Sequence, residues 1–116
     1  MKQFLAVYLG AASSFDDWRA LSEAERTKRE TTGMQAWMEW SEQHAQATVV
    51  EGGPLGKTKR VDPSGISDTR NNLTGYIIVQ AESLEAAARL FENHPHFAFF
   101  PGESVEVIEC LPIPAM

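Results

Sequence analysis

Two short apolar stretches constrain this chain more than any other feature. Residues 4–9 read Phe-Leu-Ala-Val-Tyr-Leu and residues 74–81 read Thr-Gly-Tyr-Ile-Ile-Val-Gln-Ala. Successive side chains of a strand point to opposite faces of a sheet. Phe4, Ala6 and Tyr8 therefore stand on one face, and Leu5, Val7 and Leu9 on the other. Tyr76 and Ile78 oppose Ile77 and Val79 in the same way. Strands that are apolar on both sides need cover on both sides. Helices of a small α+β protein cover one. The other would be a bare apolar patch of roughly several hundred Å², more than a soluble monomer usually carries. The pattern predicts a homodimer, with an interface of roughly 2,000 Å² or more.

The remaining elements follow from caps and periods. Ser14 is placed to cap a short helical turn, with Asp16 and Asp17 near its positive end and Trp18 and Leu21 facing inward. Ser22 with Glu25 three residues later is a capping box, so a long helix starts there and runs to about residue 47. Thr31-Thr32-Gly33 has poor helix propensity and predicts a kink or break. At about 100° per residue, Met34, Trp37, Met38, Ser41, His44 and Ala45 share one face, with Trp40 at its border. Thr48–Glu51 is a strand, and residues 57–73 form a hairpin or irregular insert rich in turn residues. Ser83 caps a helix from Leu84 to Asn93, with Leu84, Ala87, Ala88 and Phe91 on one face. Residues 94–102 are a loop, and Ser104–Leu111 is the last strand. The order β, α, β, insert, β, α, β is an α+β, ferredoxin-like split βαβ pattern in one domain, 1–116, with an antiparallel sheet and both helices on one face.

Composition narrows the function. The net charge is −6 and there is no basic block, which disfavours nucleic acid as a partner. The single cysteine, Cys110, excludes an internal disulfide framework and a multi-cysteine zinc site, and reads as a buried strand residue. No apolar run reaches the roughly 20 residues that span a bilayer, and the N-terminus lacks a signal-peptide pattern. A cytoplasmic protein with no membrane partner is expected.

Three motifs carry possible chemistry. Gly52-Gly53-Pro54-Leu55-Gly56-Lys57-Thr58 resembles a phosphate loop, but the residue that should be its first glycine is Glu51 and no helix follows to hold a phosphate. His94-Pro95-His96 is a histidine pair without a third ligand at a fixed spacing, so no metal or cofactor is expected. His44 has a reference pKa near the physiological range, and Asp68 could orient it as a general acid/base. Met34 and Trp37 would wall an apolar pocket between the sheet and the long helix, with His94 and His96 as polar groups.

With these segments in order, the chain resembles the YCII-related family, which includes the DGPF-domain proteins. The resemblance rests on K-Q-F-L-A-V-Y-L, T-V-V-E-G-G-P-L, S-D-T-R-N-N-L-T-G-Y-I-I-V-Q-A-E-S-L-E-A-A-A, the H-P-H-F loop and G-E-S-V-E-V-I-E-C-L-P, nearly the whole chain. It implies a ferredoxin-like protomer that pairs sheet to sheet into a dimeric α+β barrel. It also implies, for some members, an acid/base pair of a His in the long helix and an Asp before the central strand. The Asp carries over to Asp68, although Thr69-Arg70-Asn71 stands where the family has Gly-Pro-Phe. The place of the His falls near Met34–Trp37, and His44 lies about two turns further on. The expectation is a dimeric protein that binds an unknown small molecule, as a cofactor-independent acid/base enzyme abstracting a proton beside a carbonyl. The alternative is a non-catalytic dimeric interaction or accessory module.

Overall fold

The computed structural model describes residues 1–114. Strand β1 (Lys2–Leu9) lies in the middle of a four-stranded sheet with β2 (Thr48–Pro54), β5 (Leu73–Ala81) and β6 (Ser104–Glu109). The order is β2-β5-β1-β6, with every neighbouring pair antiparallel. A second, two-stranded sheet is the hairpin of β3 (Thr58–Asp62) and β4 (Gly65–Thr69). Helices α1 (Ala12–Ala20), α2 (Glu23–Gln43), α3 (Leu84–Arg89) and α4 (Pro95–Ala98) complete the chain. This is the ferredoxin-like α+β arrangement.

The alternation in β1 sorts its residues as the sequence requires. Phe4, Ala6 and Tyr8 join Ile77, Val79 and Ala81 in a core closed by Trp40, Ala87 and Phe91. The opposite face carries Leu5, Val7, Leu9, Tyr76 and Ile78. No helix covers that face, yet Val7 at its centre is only 9% exposed. Its bare apolar surface is on the flanking strands, at Val50 and Ile108.

Several local expectations change. α1 begins at Ala12, with no side-chain cap, so Ser14 lies inside the helix. Ser22 does cap α2, its hydroxyl accepting from the Glu25 N–H at 3.1 Å. The helix runs unbroken through Thr31-Thr32-Gly33 to Gln43, and a 3₁₀ turn, Ala45–Ala47, follows. Tertiary packing overrides propensity here. Phe99 and Phe100 press against Gly33, and a Cβ there would sit 2.6 Å from the Phe100 ring. The buried side of the helix also differs from the periodicity reading. Gly33 and Trp40 are its buried positions, whereas Met34 and Met38 are more than half exposed. α3 is shorter than expected, ending at Arg89, with Leu84 exposed. Residues 94–102 contain the short helix α4 rather than only loop. Cys110 is exposed, just beyond the end of edge strand β6. None of the described helices is long and apolar enough to cross a membrane.

Candidate functional site

The most developed polar arrangement is buried on the helix side of the sheet, around Tyr8. Period-two alternation points Tyr8 inward beside Phe4 and Ala6, and it is 3% exposed. A buried tyrosine needs a partner for its hydroxyl, and the chain after α3 supplies it. Asn93 takes a positive φ of 58° and redirects the backbone. Pro95 opens α4 and holds the residue before it extended. His94 in that position folds its ring back as the helix cap. Its Nδ1 accepts from the His96 backbone N–H at 2.9 Å, and its Nε2 lies 3.2 Å from the Tyr8 hydroxyl oxygen.

These contacts fix the tautomer. A backbone N–H only donates, so Nδ1 of His94 carries no proton. Burial, with smaller effects of nearby His96 and His44, pushes the His94 pKa down to about 3. The neutral ring therefore keeps its proton on Nε2 and donates it to the Tyr8 oxygen. Burial also raises the Tyr8 pKa, so the phenol is protonated. Its own proton is left for another acceptor; among the described residues, its hydroxyl has no second partner.

Aromatic rings enclose the pair. Trp37, half-buried, has its ring centroid 5.0 Å from Tyr8 and 4.4 Å from His94. Trp40 packs on His94 at 4.5 Å and donates its indole N–H to the Leu90 carbonyl at 3.0 Å. His96 lies 5.1 Å from Tyr8, ring to ring, and its Nε2–H donates to the Leu9 carbonyl at 3.0 Å. Burial lowers the His96 pKa, and hydrogen bonds to the Leu9 and Ser104 backbone partly offset this. Gly102 is required beside it, because a Cβ there would stand 2.3 Å from the His96 carbonyl oxygen.

The residues singled out in the sequence separate into two groups. His94, His96 and Trp37 come together. His44 is one ring away: it stacks on Trp40 at 4.5 Å, and its Nδ1–H donates to the Trp40 carbonyl at 2.8 Å. Its Nε2 lone pair has no protein partner among the described residues. Met34 points outward, at 54% exposure, and walls no pocket under the helix. Asp68 lies on β4 in the separate hairpin, and its carboxylate pairs with Lys59 rather than with His44. The expected His44–Asp68 pair is therefore not formed within the chain. The residue that sequence reasoning missed is Tyr8. The available signal was a single hydroxyl at an inward position between Ala6 and the helices, which obliges some later residue to supply a polar partner.

No group of three His, Cys, Asp or Glu side chains able to hold a metal occurs among the described residues. The Gly-rich stretch finishes β2 and leads into β3, with no helix to receive a phosphate. Two surface depressions, one on α3 around Ser83 and Arg89 and one on α2 around Thr32 and Glu39, do not include the Tyr8 cluster.

Comparison with known proteins matches residues 17–111 to the YCII-related domain. No curated protein matches the sequence. Among solved structures, a similar chain is the 5-chloro-2-hydroxyhydroquinone dehydrochlorinase of Burkholderia phenoliruptrix, in complex with 2,5-dihydroxybenzoquinone. It shares 19% identity at a TM-score of 0.53, over 90% of this chain and 89% of that one.

Proposed function

This chain belongs to the YCII-related family, and from that premise we propose that it binds a small, oxygen-bearing molecule at the Tyr8–His94 pair, in a homodimer whose two sheets face each other. The observation that carries the reading is the unspent Tyr8 proton. A buried hydroxyl whose oxygen is already engaged by His94 presents a directed donor in an apolar, aromatic surrounding. A carbonyl or oxyanion of a ligand is the group such a donor recognises. Entry is past Trp37, the half-buried ring against both Tyr8 and His94. The related fold that holds a dihydroxybenzoquinone makes planar carbonyl compounds the first to try.

In an enzymatic version, Tyr8 polarises the carbonyl; His44, stacked on Trp40 rather than on the Tyr8–His94 pair, has an uncommitted Nε2 and would act as base only for a ligand that reaches past that ring. His94 is not the base, since its Nδ1 is committed to a backbone amide and its Nε2 is already protonated. Asp68 enters this reading only as a surface residue of the hairpin. The dimer is supported by the helix-free face of the sheet and by exposed Val50 and Ile108 on it. The fully buried His94, committed at both ring nitrogens, favours the second reading, a non-catalytic dimeric module.

Ligand-detected NMR with 2,5-dihydroxybenzoquinone and similar planar carbonyl compounds tests the site. Binding is expected, and Tyr8→Phe should weaken it about tenfold, the effect of one lost hydrogen bond. Equal binding by Tyr8→Phe, or none by either protein at millimolar ligand, would leave the accessory module as the better reading. Light scattering tests the dimer: a mass equal to the chain's own 12.9 kDa would overturn it.

A further inference from the structure

We infer that the helix-free face of the sheet is complementary to itself about a two-fold axis running along its strands, with Glu106 of each copy accepting a hydrogen bond from the partner's Tyr76 beside the partner's Gly53. This rests on the homodimer proposed above. The chain exposes 8435 Å² of surface, whereas a folded monomer of 12.9 kDa exposes roughly 6,300 Å². The surplus, about 2,000 Å², is of the size that one copy gives up in an obligate interface.

Cross-strand register arranges the face in rows. From edge strand β2 to edge strand β6, one row is Gly53, Tyr76, Val7 and Glu106. The next is Val50, Ile78, Leu5 and Ile108. Tyr76 and Glu106 are the polar side chains of these rows, and they flank Val7. None of the ion pairs among the described residues involves Glu106. Gly53 leaves a gap at the β2 end of its row, because nothing lies within 4 Å of the place a Cβ would take.

Two identical sheets packed face to face admit a two-fold axis across the strands or along them. An axis across the strands lays each strand on its own counterpart. Glu106 then meets the partner's Glu106 or the partner's Ile108, which repels or strands a carboxylate. An axis along the strands, between β1 and β5, reverses the strand order, so that all four strands overlap and β2 lies over the β6 of the other copy. Val50 then meets the partner's Ile108, and Ile78 meets the partner's Leu5. Glu106 enters the gap at the partner's Gly53. There it stands one strand, about 4.8 Å, to the side of the partner's Tyr76, whose hydroxyl donates to the carboxylate. The contact occurs twice, as an isologous interface requires.

Sedimentation equilibrium of the full chain tests this with Tyr76→Phe, Glu106→Ala, their double variant and Gly53→Val. Far-UV circular dichroism should show the same fold in all, since Gly53→Val meets open space in its own chain. Each single polar variant should dimerise at least about tenfold more weakly, because a hydrogen bond is lost at two places. The double variant should lose little more than either alone, the signature of two groups that contact each other. Gly53→Val fills the gap and should weaken the dimer as well. Additive losses in the double variant, or a Gly53→Val protein that dimerises like the unmodified chain, would overturn the axis and leave the dimer standing. An unmodified chain that is monomeric at micromolar concentration overturns the dimer itself, and the axis with it.

Discussion

The His94–His96 turn and the β3–β4 hairpin are both short excursions from the same sheet, and they are held in opposite ways. In the turn, one histidine ring links the Tyr8 hydroxyl to a backbone amide, at 0% exposure for His94 and 5% for His96. In the hairpin, Lys59 and Asp68 form an ion pair whose side chains are 67% and 88% exposed. The bonds in the turn operate where water cannot replace them, so breaking one leaves a buried group unsatisfied. The hairpin pair is solvated, and water substitutes for either partner. Position in the fold, more than formal charge, sets what each contact is worth.

The largest expected effect comes from opening the buried side of this comparison. Trp40→Ala removes a ring packed on Phe91, His94 and His44, together with the indole donor to the Leu90 carbonyl. It should destabilise the chain by about 3–5 kcal/mol in urea denaturation. A loss below 1 kcal/mol would mean that the turn is not held by this packing.

A pH series gives a middle-sized effect. The folded His94 pKa is near 3, against an ordinary 6.5, and that of His96 is also lowered. Below about pH 6.5 the unfolded chain takes up protons that the folded chain refuses, so stability is greatest above that pH and declines as the pH falls toward 3. His94 alone should remove about 2 kcal/mol between pH 7 and pH 5. His94→Asn keeps a capping acceptor but cannot titrate, and should flatten that slope. Identical slopes in the two proteins would place the titration elsewhere.

The smallest effect is on the exposed side. Asp68→Asn should change stability by less than about 0.5 kcal/mol. A larger loss in the dimeric protein, absent on dilution to monomer, would show that the pair is buried by a neighbour.

Much of the fold is legible in the residues. The alternation in β1, the Ser22 and Ser83 caps and the turn chemistry within residues 57–73 each act through neighbours in sequence, and each appears in the structure. Less of the candidate site is legible. The tendency of Thr31-Thr32-Gly33 to break a helix is a local property, and packing of Phe99 and Phe100 on Gly33 overrides it. On the same helix Trp40 is buried with Gly33, whereas Met34 lies outside.

What the sequence determined alone is the set of faces: a sheet apolar on both sides, helices that cover one of them, and a turn-rich insert between two strands. Tertiary structure decided which polar groups meet. Tyr8 and His94 are 86 residues apart, while Lys59 and Asp68 are nine apart. Local spacing carries information about a cap or a hairpin pair because the backbone period places neighbours together. It carries none about a contact between a first strand and a late turn, which exists only once the core between them has closed.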